Sequence, residues 1–274
     1  NMPLSQFYHI SVDNEEPYNV YGGLQDNGSW YGPSSSGGGI SARDWTSVGM
    51  GDGFRVLKHP TKPIIYSEMQ GAASVWRFDS ENSRVKTIQP LPQKGTPKLR
   101  FNWNAPMAIS TIQPNRFYMG SQFLHKSEDM GDTWQIISPD LTTNDPEKLK
   151  QHESGGLTMD ATGAENHCTI LVIEPSEVEQ NMLWVGTDDG RVHFTTDGGN
   201  NWNEVTKNIK GLPKGSWITQ IKASKNNKGE ALLVANDYRR FNYTPYAYRT
   251  TNYGKTWKRI VDENDTESYT LCIV

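Results

Sequence analysis

The chain has 274 residues, 35 % of them hydrophobic and 21 % charged, and a net charge of −4 at pH 7. That is enough chain to bury a sizeable core, and charge spread along the whole length excludes the clustered basic face of a nucleic-acid binder. No apolar run reaches the roughly 20 residues of a membrane helix, while nine Trp, twelve Tyr and 25 Gly point to an all-β chain with many tight turns.

Taken in chain order, short apolar or alternating runs fall into groups of four. The first group covers residues 7–48, with strands expected at 7–12, 19–24, 28–31 and 44–48 and a Ser/Gly-rich loop at 34–39. The second covers 54–89, with strands at 54–59, 64–68, 75–78 and 85–89. The third covers 107–138, with strands at 107–113, 116–121, 124–127 and 134–138. Residues 139–167 then form a long insert without strand patterning, a feature that often carries function. The fourth group covers 168–206, with strands at 168–175, 182–187, 192–196 and 202–206. The fifth covers 217–261, with strands at 217–224, 231–235, 247–251 and 257–261.

A repeat punctuates the last three groups. Ser127-Glu-Asp129-Met-Gly131-Asp-Thr133-Trp134 recurs as Thr195-Thr-Asp197-Gly-Gly199-Asn-Asn201-Trp202. It recurs again as Thr250-Thr-Asn252-Tyr-Gly254-Lys-Thr256-Trp257, with the Trp residues 68 and 55 apart. Asp or Asn can accept bonds from nearby backbone N–H groups, Gly supplies positive φ, and Trp opens the next strand against a neighbouring sheet. These residues are therefore expected to be structural. Five four-stranded units with regular turns predict a β-propeller of antiparallel blades. Residues 269–274 then read as the innermost strand of a sixth blade. Because a propeller does not leave half a blade with open edges, the chain is expected either to continue in a longer parent whose remainder packs on its open end, or to complete a blade with this strand in an unusual way. No signal peptide is visible at Asn1-Met2, which leaves a leader further upstream open.

With these boxes, the chain resembles the Asp-box (BNR-repeat) propeller superfamily, and in particular bacterial proteins described as glycosyl-hydrolase-like or sortilin (Vps10)-like. Carrying segments are Tyr18-Asn-Val-Tyr-Gly-Gly-Leu-Gln-Asp-Asn-Gly-Ser-Trp30, Gly49-Met-Gly-Asp-Gly53, Leu99-Arg-Phe-Asn-Trp103, residues 137–146 and Trp184-Val-Gly-Thr-Asp-Asp-Gly190. The resemblance implies a seven-bladed or larger propeller, a tandem one included, in a periplasmic, cell-surface or secreted protein with a glycan or peptide ligand.

Blade geometry puts the boxes at one end and a loop face at the other. Expected on the loop face are Asp26, Trp30, Asp52, Arg100, Asn102, Trp103, Asp188, Asp189, Asp237, Arg239, Arg240 and Tyr243, with Asp160, Glu165 and His167 from the insert. Aromatic faces stack on sugar C–H surfaces while acids and amides take hydroxyls. Asp26 and Asp188 resemble, in position and pattern, an acid of xyloglucan-cleaving propeller hydrolases. A hydrolase would need such an Asp/Glu pair as acid and base or nucleophile. The other readings stay open: Asp-Asn-Gly and Asp-Asp-Gly are themselves strong turn sequences, and a non-enzymatic sortilin-like module or a scaffold would bind without turnover. Six scattered His and no complete Ca²⁺ loop predict no metal site, and no phosphate loop or other cofactor motif occurs. Cys168 and Cys272 are expected as buried free thiols.

Overall fold

A computed structural model describes residues 6–157 and 165–273. Twenty strands form five separate four-stranded antiparallel sheets, each a meander in chain order. Sheet 1 contains β1 (Phe7–Val12), β2 (Asn19–Leu24), β3 (Gly28–Pro33) and β4 (Thr46–Gly49). Sheet 2 contains β5 (Gly53–Lys58), β6 (Ile64–Met69), β7 (Val75–Asp79) and β8 (Arg84–Thr87). Sheet 3 contains β9 (Met107–Ile109), β10 (Phe117–Gly120), β11 (Leu124–Ser127) and β12 (Gln135–Ile136). Sheet 4 contains β13 (Ile170–Pro175), β14 (Leu183–Thr187), β15 (Val192–Thr195) and β16 (Asn203–Glu204). Sheet 5 contains β17 (Trp217–Ala223), β18 (Ala231–Asp237), β19 (Asn242–Thr250) and β20 (Lys258–Val261). This is the blade architecture of a β-propeller.

First strands of successive sheets touch one another, and segments of all five border a cavity of about 580 Å³. Each sheet packs face to face on the next through its own apolar cluster. Tyr21, Val48, Val56 and Ile65 join sheets 1 and 2. Tyr66, Met107, Phe117 and Met119 join sheets 2 and 3. Tyr118, Leu124, Ile170 and Val185 join sheets 3 and 4, and Trp184, Val205, Ile218 and Tyr248 join sheets 4 and 5. The second strands β10 and β14 carry a glycine where the next blade comes close: a Cβ on Gly120 would meet Ile170, and one on Gly186 would meet Ile218.

The strands expected at 107–113, 134–138 and 202–206 are shorter, at three, two and two residues, and three further expectations change. Residues 269–273 carry no strand. They run beside β17, where Thr219 Oγ1 donates to the Leu271 carbonyl (3.3 Å) and the Ile273 N–H donates to Gln220 Oε1 (2.7 Å). A first strand exists only by pairing with its own second strand, and the described residues hold no such partner. Cys272 is consequently exposed, while Cys168 is buried; both thiols are free. Lastly, β18 and β19 extend past their expected ends, so the stretch 236–246 is largely a hairpin with Asp237 paired to Asn242, and only residues 238–241 turn.

Candidate functional site

The three repeat octapeptides form one turn. In sheet 3, Gly131 N–H donates to Ser127 Oγ (2.7 Å), and Thr133 donates through N–H and Oγ1 to the two Asp129 oxygens (2.8 and 2.7 Å). In sheet 4, Asn201 supplies both donors to Asp197 (2.9 and 2.7 Å). In sheet 5, Thr256 N–H donates to Asn252 Oδ1 (3.0 Å), and the Asn252 amide donates to Thr256 Oγ1 (2.9 Å). Each turn also leans on the preceding blade. Trp134 Nε1 donates to the Ile88 carbonyl (2.6 Å) and Trp202 Nε1 to the Ile137 carbonyl (2.9 Å), while Trp257 packs into the cluster with Trp184 and Val205.

Because strands alternate in direction, the second-to-third loops and the connections between blades gather at the end opposite these turns. There the candidate residues fall into two groups. At sheets 1 and 2, exposed Asp26 has a φ of 59° and donates its N–H to Asp52 Oδ1 (2.6 Å). Asp52 N–H donates to Gln70 Oε1 (2.9 Å), Trp30 Nε1 donates to the Asn27 carbonyl (2.5 Å), and the Trp103 carbonyl accepts from Gly71 (2.8 Å).

The second group spans sheets 3 to 5. Asp188 is fully buried; it accepts Thr169 N–H (2.9 Å), Thr169 Oγ1 (2.5 Å) and Asn102 Nδ2 (3.0 Å). Burial, and after it the charge of Asp189, raises its pKa to about 7. Asp189 is also buried, yet bonds from Thr143 and Thr187 outweigh desolvation and hold its pKa below the ordinary value. Arg100 pairs with Asp140 (2.9 Å) and donates to the Cys168 carbonyl (3.3 Å). His167 donates Nδ1–H to the Gly155 carbonyl (3.2 Å), which leaves Nε2 buried without a partner among the described residues; desolvation lowers its pKa. Glu165 is half-buried at the described end of the insert, and Asp160 lies outside the described residues.

Beside this group stands an aromatic and cationic ridge on sheet 5. The Arg239 guanidinium lies 3.5 Å over the Trp217 ring, and the His167 ring is 6.2 Å from Trp217. Tyr238 and Tyr243 flank Tyr269 at 4.8 and 6.1 Å. Asp237 pairs with Arg240 Nε (2.6 Å) and accepts from Asn242 (3.1 Å). Phe241, at the tip with a φ of 59°, is 84 % exposed. The turn at 188–190 meets this ridge: a Cβ on Gly190 would stand 2.8 Å from Gly215. Asp188, Asp189, His167, Asp237, Arg240 and Tyr243 are thus gathered at sheets 4 and 5, whereas Asp26, Trp30 and Asp52 belong to sheets 1 and 2 and Trp103 lies between sheets 2 and 3.

Sequence reasoning missed Trp217, Tyr238, Tyr269 and Lys148, which stand in strand, turn, tail and insert with no motif in common. It also missed a buried polar chain at the axis. Arg55 donates to the Asn104 side chain and to the Ala105 (3.3 Å) and Leu171 (3.4 Å) carbonyls, and Asn104 Nδ2 meets His9 Nε2 at 2.8 Å. These pairings join residues 49 to 116 positions apart.

No protein-family model matches the chain, and no curated protein matches it. Solved structures do. The chain is similar to the extracellular domain of the proposed one-component system BT4673 of B. thetaiotaomicron, with a TM-score of 0.61 and 10 % identity over 96 % of this chain and 29 % of that one. It is similar to a structure from the nidogen/laminin complex, with a TM-score of 0.56 and 10 % identity over 96 % of this chain and 81 % of that one. It is similar as well to the β-propeller domain of Myceliophteria thermophila Cps50 (Swd1), with a TM-score of 0.54 and 11 % identity over 90 % of this chain and 66 % of that one. The chain spans under a third of the BT4673 domain's length. At these identities the likeness is one of fold.

Proposed function

We propose that this chain is a binding propeller of the Asp-box kind, acting outside the cytoplasm, and that it holds carbohydrate on its loop face at sheets 4 and 5 without cleaving it. The observation that carries this is the state of the acids. Asp188 has no solvent exposure and spends both oxygens on Thr169 and Asn102, and Asp189 spends its oxygens on Thr143 and Thr187. A glycosidase needs two carboxyl groups free to face the scissile bond across a cleft. Here Asp26 and Asp188 sit in separate networks, and Asp188 acts as an anchor tying the loop at Asn102 to sheet 4.

Next to the anchored acids, Trp217, Tyr238, Tyr243 and Tyr269 supply ring faces, and Arg239 and Arg240 supply donors. Aromatic faces with a few fixed polar groups suit a sugar. Export is consistent with the extracellular placement of the BT4673 domain. The test incubates the protein with a panel of soluble polysaccharides and reads both retardation in affinity gels and reducing ends. Retardation by at least one polymer with no release of reducing ends is expected. Release above the blank that disappears in Asp188→Asn would make it a hydrolase and sink the proposal.

Sheet 1 supports a second, narrower statement. Ser11 Oγ donates to the Val56 carbonyl of sheet 2, while Ile10 and Val12 are 63 % and 59 % exposed. Apolar residues in such a row suit cover by further blades of the parent polypeptide. A longer form of the protein should then bind less of a hydrophobic dye per molecule than this chain does, and equal dye binding would count against the cover.

A further inference from the structure

At the ridge on sheets 4 and 5, Lys148 and Arg239 have no ion pair among the described residues. Lys148 Nζ and Arg240 Nη1 lie 3.6 and 3.8 Å from the point where a Cβ of Gly215 would stand, so the two cations converge on one small space. Gly215 has a φ of 80°, and no side chain fills that space. Arg240 is held in place from behind, because Asp237 takes its Nε and leaves the Nη end turned outward. Among the described residues, no carboxylate lies within ion-pair distance of Lys148. Arg239 stands on Trp217 and makes no hydrogen bond with any described residue, so its N–H groups also remain available. Of the nearby acids, Asp188 and Asp189 are engaged with threonines and Asn102 and Glu147 with Lys150, while Asp237 takes Arg240 at its Nε side only. Among the described residues the two cations share a single carboxylate, that of Asp237 on Arg240, and a bound anion would relieve the repulsion that is left.

Resting on the carbohydrate reading above, we infer that the ligand is an acidic glycan whose uronic-acid carboxylate sits between Lys148 and Arg240 over Gly215, with a neighbouring sugar ring against the tyrosines. A carboxylate is planar and matches the free end of an arginine fork, while lysine contributes a point charge. The site therefore selects charge first and ring shape second.

The experiment titrates the protein with polygalacturonate, with its carboxyl-reduced neutral form and with poly-glutamate, at low and at raised NaCl. Polygalacturonate is expected to bind at least tenfold more tightly than the neutral polymer, and to weaken with salt, as charged hydrogen bonds and screening require. Lys148→Gln is expected to cost roughly tenfold in affinity with the unfolding temperature unchanged. Arg240→Lys, which keeps the charge and loses the fork, is expected to cost less. Equal binding of the neutral polymer overturns the inference and leaves the carbohydrate reading standing. Binding of poly-glutamate as tight as that of polygalacturonate overturns it in favour of an acidic peptide. No binding of any polysaccharide overturns both. Unchanged affinity in Lys148→Gln removes the anion from this space.

Discussion

Two aspartates illustrate how one residue type takes opposite roles. The side chain of Asn201, with backbone bonds, draws the Asp197 pKa down to about 2, whereas burial pushes that of Asp188 up to about 7. For Asp197 the stability contributed is present above the unfolded value of 3.8 and is lost as pH falls through about 2. For Asp188 the sign reverses. Its contribution is complete below 3.8 and is lost as pH rises through about 7. Thermal unfolding followed across this range should therefore show a decline from about pH 4 to about pH 7 that Asp188→Asn flattens, because an amide keeps the Thr169 bonds without ionising. An unchanged slope in that variant would place the titrating group elsewhere. At the acid end, Asp197→Ala should unfold at a lower temperature at pH 6 than the parent chain and converge with it towards pH 2.

At the scale of the element, the blade is a sheet completed by its neighbour. A Cβ on Gly199, whose φ is 100°, would collide with the Ile137 carbonyl of the preceding blade, while one on Gly198, whose φ is 73°, would meet only Asn181, at 3.6 Å. Gly199→Ala should therefore destabilise more than Gly198→Ala in denaturant titration, and the reverse order would contradict the close approach. Trp184 is fully buried between sheets 4 and 5, and Trp184→Ala should cost about 3–5 kcal/mol, read from the denaturant midpoint. Strands of this kind are legible in sequence because burial on one or both faces writes apolar runs, and the Asp–Gly–Trp turn marks their ends; β2 and β11 begin and end where the pattern puts them. The hairpin at β18 and β19 was not, because Asn242 to Pro245 spell a loop until Asp237 and Arg259 bind them. The site was legible only in part. Asp188, Arg240 and Tyr243 follow from loop position, but Asn102 meets Asp188 across 86 residues, and no local pattern announces a partner at that distance.

Across the whole molecule, five similar blades divide the labour between two ends. At one end, acid or amide, glycine and tryptophan lock the outer hairpins of sheets 3, 4 and 5 to the blade before each. At the other, the loop at residues 99–104 bonds to sheets 3 and 4 through Arg100 and Asn102 and holds the acids inward, which leaves rings and cations facing out on sheet 5. The proposed ligand would meet a loop end already ordered by these bonds, so that ordering entropy is spent in folding rather than in binding. The division is tested most directly by hydrogen–deuterium exchange of the protein with and without saturating polygalacturonate. Ligand should slow exchange at residues 212–217 and 236–243 and leave the three box turns as they were. Slowing at the turns Ser127 to Trp134, Thr195 to Trp202 and Thr250 to Trp257, with the loop end unchanged, would contradict it.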